Sequence, residues 1–127
     1  MTMVWVMGLG AWVPRWLRVA AFWASVLVVI VLSLLPAQHL PEMALNLWDK
    51  AQHAFGFSIL TFLGLWAYPR RVRRVLVGLL LLGALIELAQ GATGWRHGDW
   101  LDLLADAVGV AAGALLWLNV RRLSKTA

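Results

Sequence analysis

Four stretches of this chain are long, apolar and almost free of charge, and they leave little choice of solvent. A helix that crosses a bilayer needs about 20 largely apolar residues. Residues 19–35 run VAAFWASVLVVIVLSLL and stop at Pro36, and residues 51–68 run AQHAFGFSILTFLGLWAY and stop at Pro69. Residues 75–95 are apolar except for Glu87 and Gln90, and residues 103–120 except for Asp106 and Asn119. With 62% hydrophobic and 13% charged residues in only 127, the chain carries more apolar surface than a soluble fold of this size can hide. It contains no cysteine, which excludes a disulfide scaffold. The expected fold class is an all-α integral membrane protein, a single domain over 1–127 built as a bundle of four transmembrane helices.

The charges sort along these spans. Arg15 and Arg18 precede the first, Arg70, Arg71, Arg73 and Arg74 separate the second from the third, and Arg121, Arg122 and Lys125 follow the fourth. Four spans put those nine of the 11 basic residues on one side, which is the cytoplasmic side, with both termini inside. The other side receives Lys50, Arg96 and all six acids. The arginine run between spans is therefore a topology signal, and no nucleic-acid partner is expected. Tryptophans near the span ends (Trp16, Trp48, Trp66, Trp95, Trp100 and Trp117) suit the headgroup level. Residues 1–15 include an apolar stretch too short to span. It lacks a basic leader region and a cleavage site, so it is expected to lie along the inner interface.

The acids are the costly part. An ionisable residue inside a span costs about 2.5–3.5 kcal/mol on insertion scales, so each needs a partner or a wet cavity. Asp49 and His53 are four apart on the second helix, with Lys50 beside them, and Glu87 and Gln90 are three apart on the third. On the fourth, Asp99, Asp102, Asp106, Gly109 and Gly113 follow steps of 3, 4, 3 and 4, one helical stripe. Gly109 and Gly113 allow close helix packing, so the aspartates on the same stripe face protein rather than lipid. Gly83 and Gly91 flank Glu87 in a similar small-polar-small face. His53, Glu87 and Asp106 are thus expected to converge in an outward-facing cavity on the last three helices, where four or five acids meet Lys50, Arg96 and His53.

The order and spacing of these residues resemble the VanZ-like membrane family, known for teicoplanin resistance. The family's Asp-Lys-x-x-His is present as Asp49, Lys50 and His53, and its Glu-x-x-Gln as Glu87 and Gln90. The loop arginine is Arg96, with Gly98 two residues on. Asp102, Asp106, Gly109 and Gly113 complete the pattern. The match runs from about residue 34 to 118. The resemblance implies a bacterial inner membrane, an envelope role and antibiotic resistance.

Three functions follow as expectations. In the first, Asp49, Lys50, His53, Glu87, Gln90, Arg96, Asp102 and Asp106 bind an anionic envelope lipid. Lys50 and Arg96 hold its charge, and the carboxylates orient them. A lipid-linked peptidoglycan-type precursor fits the family's phenotype. In the second, His53, Glu87 and Asp106 are acid and base groups of an intramembrane enzyme acting by phosphoryl or acyl transfer. Ser25, Ser33, Ser58 and Ser124 are expected away from the cluster, which argues against a serine nucleophile. In the third, the protein is a small proton-coupled carrier. His53, Glu87 and Asp106 could hold a metal, but there is no dense HExxH-type spacing, so neither metal nor cofactor is expected. The lipid bilayer is the certain partner, and a second copy of the chain is a candidate one.

Overall fold

The computed structural model describes residues 12–36 and 42–126. The chain forms four helices: α1 (Arg15–Leu34), α2 (Glu42–Ala67), α3 (Val72–Thr93) and α4 (Trp100–Thr126). No strand occurs among the described residues. Most of the expected 1–15 interfacial segment lies outside them. α2 starts nine residues before the expected span, and α4 runs from three residues before it to six beyond.

Three of the helices, α1, α3 and α4, are long and apolar enough to cross a membrane. The fourth span expected from the sequence, 51–68, is a well-formed helix but a less apolar one. Gln52 and His53 at one end, and Gly56, Ser58, Thr61 and Gly64 further along, dilute its hydrophobicity. α2 compensates by being the most enclosed element. Phe57, Leu60, Thr61 and Leu65 are fully buried, and α2 packs against each of the other three helices.

Residue pairings set the directions. Gly64 of α2 meets Phe22 of α1, and Gly56 meets Val29, so α1 and α2 run antiparallel. Gly109 of α4 lies against Ala54, and Gly113 against Ser58 and Thr61, so α2 and α4 run parallel. The chain is an up-down-up-down bundle. The absence of a side chain at Gly109 and Gly113 brings α4 onto the α2 backbone itself, against the carbonyls of Ala54 and Ser58.

Local chemistry explains the turns. Pro69 fits the second position of a β-turn in which Arg71 N–H donates to Tyr68 O at 2.9 Å. α3 ends at Gly94, whose φ of 81° is left-handed and open to glycine at little cost. Thr93 Oγ1 accepts from Arg96 N–H at 3.3 Å just beyond it. α4 opens on Asp99, whose Oδ1 accepts Leu101 N–H at 2.9 Å, a side-chain cap on the first turn.

The alternation of directions gathers charge. Arg15, Arg18, the 70–74 arginines, Arg121 and Arg122 fall at one end of the bundle. Here Arg18 donates to Trp66 O at 2.9 Å, and Arg121 lies over the Trp117 ring. Asp49, Lys50, Glu87, Arg96, Asp99 and Asp102 fall toward the other end.

Candidate functional site

The parallel register of α2 and α4, about 53 residues apart, builds the acidic end. It sets Lys50 opposite Asp102 and His53 opposite Asp106. His53 Nδ1 and Asp106 Oδ1 are 2.7 Å apart, both side chains almost wholly buried. An ionised carboxylate only accepts, so with Asp106 ionised the ring proton sits on Nδ1. Glu87 of α3 approaches the same nitrogen, with Oε1 at 3.8 Å. The three residues expected to converge do so.

Gly83 makes this approach feasible. A methyl group there would lie 2.5 Å from Asp106 Oδ2, so only glycine lets the α4 carboxylate sit against α3. Gly91 has a different neighbour. It lies beside the α3–α4 loop, where a Cβ would be 3.9 Å from Gly98 N. Gly98 is the tighter residue, since a Cβ there would fall 2.7 Å from Glu87 O. The loop therefore folds flat onto α3, and Asp99 N–H donates to Glu87 Oε2 at 2.9 Å.

Both cations of this end are occupied. Arg96 donates to Asp49 at 2.7 Å. Lys50 donates to Asp99 at 2.9 Å and lies 3.2 Å from Asp102, off the line of a hydrogen bond. Asp99 and Asp102 are the acids nearest Arg96 in the sequence. The structure pairs Arg96 with Asp49 instead, because Gly94 and the folded-back loop bring it over the start of α2. Asp99 is about one-third exposed, and the Leu101 N–H and then Lys50 hold its carboxyl below the ordinary value of 3.8.

Gln90 plays a different part from its neighbour Glu87. It is fully buried and donates through Nε2 to Ser33 O at 2.8 Å, one of the carbonyls left open at the C-terminus of α1. Trp95 Nε1 donates to Leu34 O at 3.1 Å beside it. Both tie α1 to α3.

Several polar atoms at this end are buried without a hydrogen-bond partner: His53 Nε2, Glu87 Oε1, Gln90 Oε1, Asp102 Oδ1 and Asp106 Oδ2. So many orphans in one place are unusual for a structural core. A groove of about 400 Å³ between α1 and α2 reaches one of these residues, His53. Asp49, Gln52, His53 and Arg96 form its polar end. Its long wall is apolar, made by Val28, Val29 and Leu32 of α1 with Phe55 and Ile59 of α2. Val28, Leu32, Phe55 and Ile59 are exposed, so the groove opens sideways onto the apolar surface.

The sequence pattern points to the last three helices and gives no sign of this wall of α1, since nothing in an uninterrupted apolar run marks one face as a groove. Ser25 and Ser33, expected away from the cluster, line the groove with His53. Ser25 Oγ donates to Ala21 O at 2.8 Å, so its proton is committed to its own helix. No protein-family model, curated protein or solved structure matches the chain.

Proposed function

We propose that this protein is a four-span membrane protein of the VanZ-like type, with both termini in the cytoplasm of a bacterium. In this reading its acidic end faces outward from the inner membrane and holds the headgroup of an envelope lipid. The observation that carries the reading is the groove between α1 and α2. It joins a polar end to an apolar wall and opens sideways, the shape and chemistry of an amphipathic ligand that enters from the bilayer. A four-span arrangement is supported by the packing of α2, which touches all three apolar helices and must share their depth. The clustering of eight arginines at the opposite end supports the orientation.

The ion pairs refine the headgroup. Among the described residues five carboxylates face two permanent cations at the acidic end, so an anion has no welcome deep in the cluster. Arg96 is the one permanent cation among the described residues that lines the groove, and so is placed to meet a phosphate, in competition with Asp49. Hydroxyls and amides suit the carboxylates behind it. A lipid-linked, sugar-bearing phosphate of the peptidoglycan-precursor class combines these features. Its capture or shielding would lower susceptibility to a glycopeptide such as teicoplanin.

The test is retention of a sugar-bearing polyprenyl pyrophosphate by the protein in nanodiscs, with and without the groove. Gly56→Phe fills the groove, and Arg96→Ala removes the phosphate contact. Saturable retention lost in both variants is the expected result. Retention unchanged by both would overturn the proposal.

A second reading has its own observation. The Asp106–His53 pair leaves Nε2 as a partnerless basic nitrogen, the arrangement of a general base held by a carboxylate. If the protein turns its lipid over, product formation is lost in His53→Ala and Glu87→Gln while retention persists.

A further inference from the structure

Among the described residues the carboxylates at the acidic end outnumber Lys50 and Arg96 by three, and the buried ones, Asp102 and Asp106 foremost, need a proton or a counter-charge. We propose that His53, Glu87 and Asp106 form a binding site for one divalent transition-metal ion of the Zn²⁺ or Mn²⁺ class, held between α2, α3 and α4. This rests on the acidic end being the functional site.

One ligand atom from each of the three lies within 4.8 Å of the other two. Imidazole nitrogen with two carboxylate oxygens is a donor set that such ions accept. The His53 Nδ1 to Glu87 Oε1 separation of 3.8 Å already suits two atoms on one ion. The 2.7 Å between His53 Nδ1 and Asp106 Oδ1 is a hydrogen bond. It would have to open by roughly half an ångström or more to admit an ion about 2.1 Å from each ligand.

The orphaned atoms identify this trio rather than its neighbours. Glu87 Oε1 and Asp106 Oδ2 are buried acceptors with nothing to accept from. Asp106 is wholly buried, and no Lys or Arg pairs with His53, Glu87 or Asp106 among the described residues. A second trio, Asp49, His53 and Asp102, is also close enough. Its two acids, however, are already beside Arg96 and Lys50.

The surroundings suit a ligand set. The Asp99 N–H fixes Glu87 Oε2 and leaves Oε1 free, and Gly83 clears space for Asp106. When Nδ1 takes the ion, its proton moves to Nε2. The Asp49 and Asp102 carboxylates next to the ring can accept that proton's hydrogen bond, as outer groups do around a metal-bound histidine. The ion's two charges bring the excess of carboxylates over Lys50 and Arg96 from three to one.

The experiment uses the full chain in nanodiscs, stripped with a chelator and titrated with Co²⁺, with Zn²⁺ as competitor. One equivalent should bind and give visible d–d bands of a nitrogen–oxygen site, which Zn²⁺ abolishes. Glu87→Gln should weaken Zn²⁺ at least tenfold, and Asp106→Asn should do the same, while Asp99→Asn binds like the parent. Should Asp106→Asn fail to fold, Glu87→Gln decides, because Oε1 makes no hydrogen bond whose loss would unfold the chain. No saturable binding by folded protein, or parental affinity in Glu87→Gln, overturns the site. Lipid retention measured on the same stripped samples separates the two proposals. Lipid held without any metal affinity removes only the metal site, and metal bound without lipid removes only the lipid reading.

Discussion

Replacing glycine by alanine at two positions should move stability in opposite directions, and the structure sets the size of each change. At Gly109 a methyl group collides with the Ala54 carbonyl oxygen and comes within 3.0 Å of two further backbone atoms of Ala54. Backbone cannot swing aside as a side chain can, so α4 must retreat from α2. Overpacking of this kind costs about 1–3 kcal/mol. The retreat also stretches the 2.7 Å His53–Asp106 contact one turn away, worth about another 1 kcal/mol. Gly109→Ala should therefore lose about 2–4 kcal/mol. Gly78 lies on α3 with nothing within 4 Å of an added Cβ. Gly78→Ala should gain about 0.5–1 kcal/mol, because alanine surrenders less backbone freedom in a helix. Equilibrium unfolding in mixed micelles, followed by far-ultraviolet circular dichroism, reads both. Equal effects at the two positions, or no loss at Gly109, would refute the direct backbone contact between α2 and α4.

Asp99→Asn tests the exposed arm of the acidic end. The native carboxyl titrates below its ordinary value of 3.8, so its stabilisation is present above that pH and disappears as pH falls through the folded value. The stability gap between parent and Asp99→Asn should be constant from neutrality down to about pH 4 and narrow below it; a gap that widens as pH falls below about 4 contradicts a carboxyl held down by the Leu101 N–H and Lys50. Gln90→Leu removes the donor to Ser33 O but also removes a buried, partnerless Oε1, so the two effects oppose each other. Its net cost should stay below about 1.5 kcal/mol in the same unfolding assay. Asp49→Asn and Arg96→Gln should be non-additive in a double-mutant cycle by at least about 0.5 kcal/mol; strict additivity would dissolve the pair.

Much of this site is legible one residue at a time. The stripe from Asp99 to Gly113 needs only the helical period, and its close packing is what the two glycines require. The meeting of His53, Glu87 and Asp106 follows from three polar interruptions at similar depth in apolar helices. The division of labour between Glu87 and Gln90 does not follow. Neighbours three apart on one face still diverge when one meets a loop N–H and the other an open helix end. Hydropathy also ranks α2 below its neighbours, although it is the most enclosed helix. Composition measures what a helix could bury, whereas packing decides what it does bury.

By itself, the sequence determined the helical class, the approximate helix limits, the separation of basic and acidic ends, and the three groups that meet at the acidic end. These depend on period, length and charge, which are local properties of a chain. Tertiary structure alone decided that Arg96 pairs with Asp49 and Lys50 with Asp99, that α1 supplies the apolar wall of a groove, and that several buried acceptors are left without donors. Each of those depends on the register between helices far apart in the chain. That register is set by how closely Gly98, Gly109 and Gly113 let backbones approach and Gly83 lets the Asp106 side chain approach α3, and no local pattern records the distance.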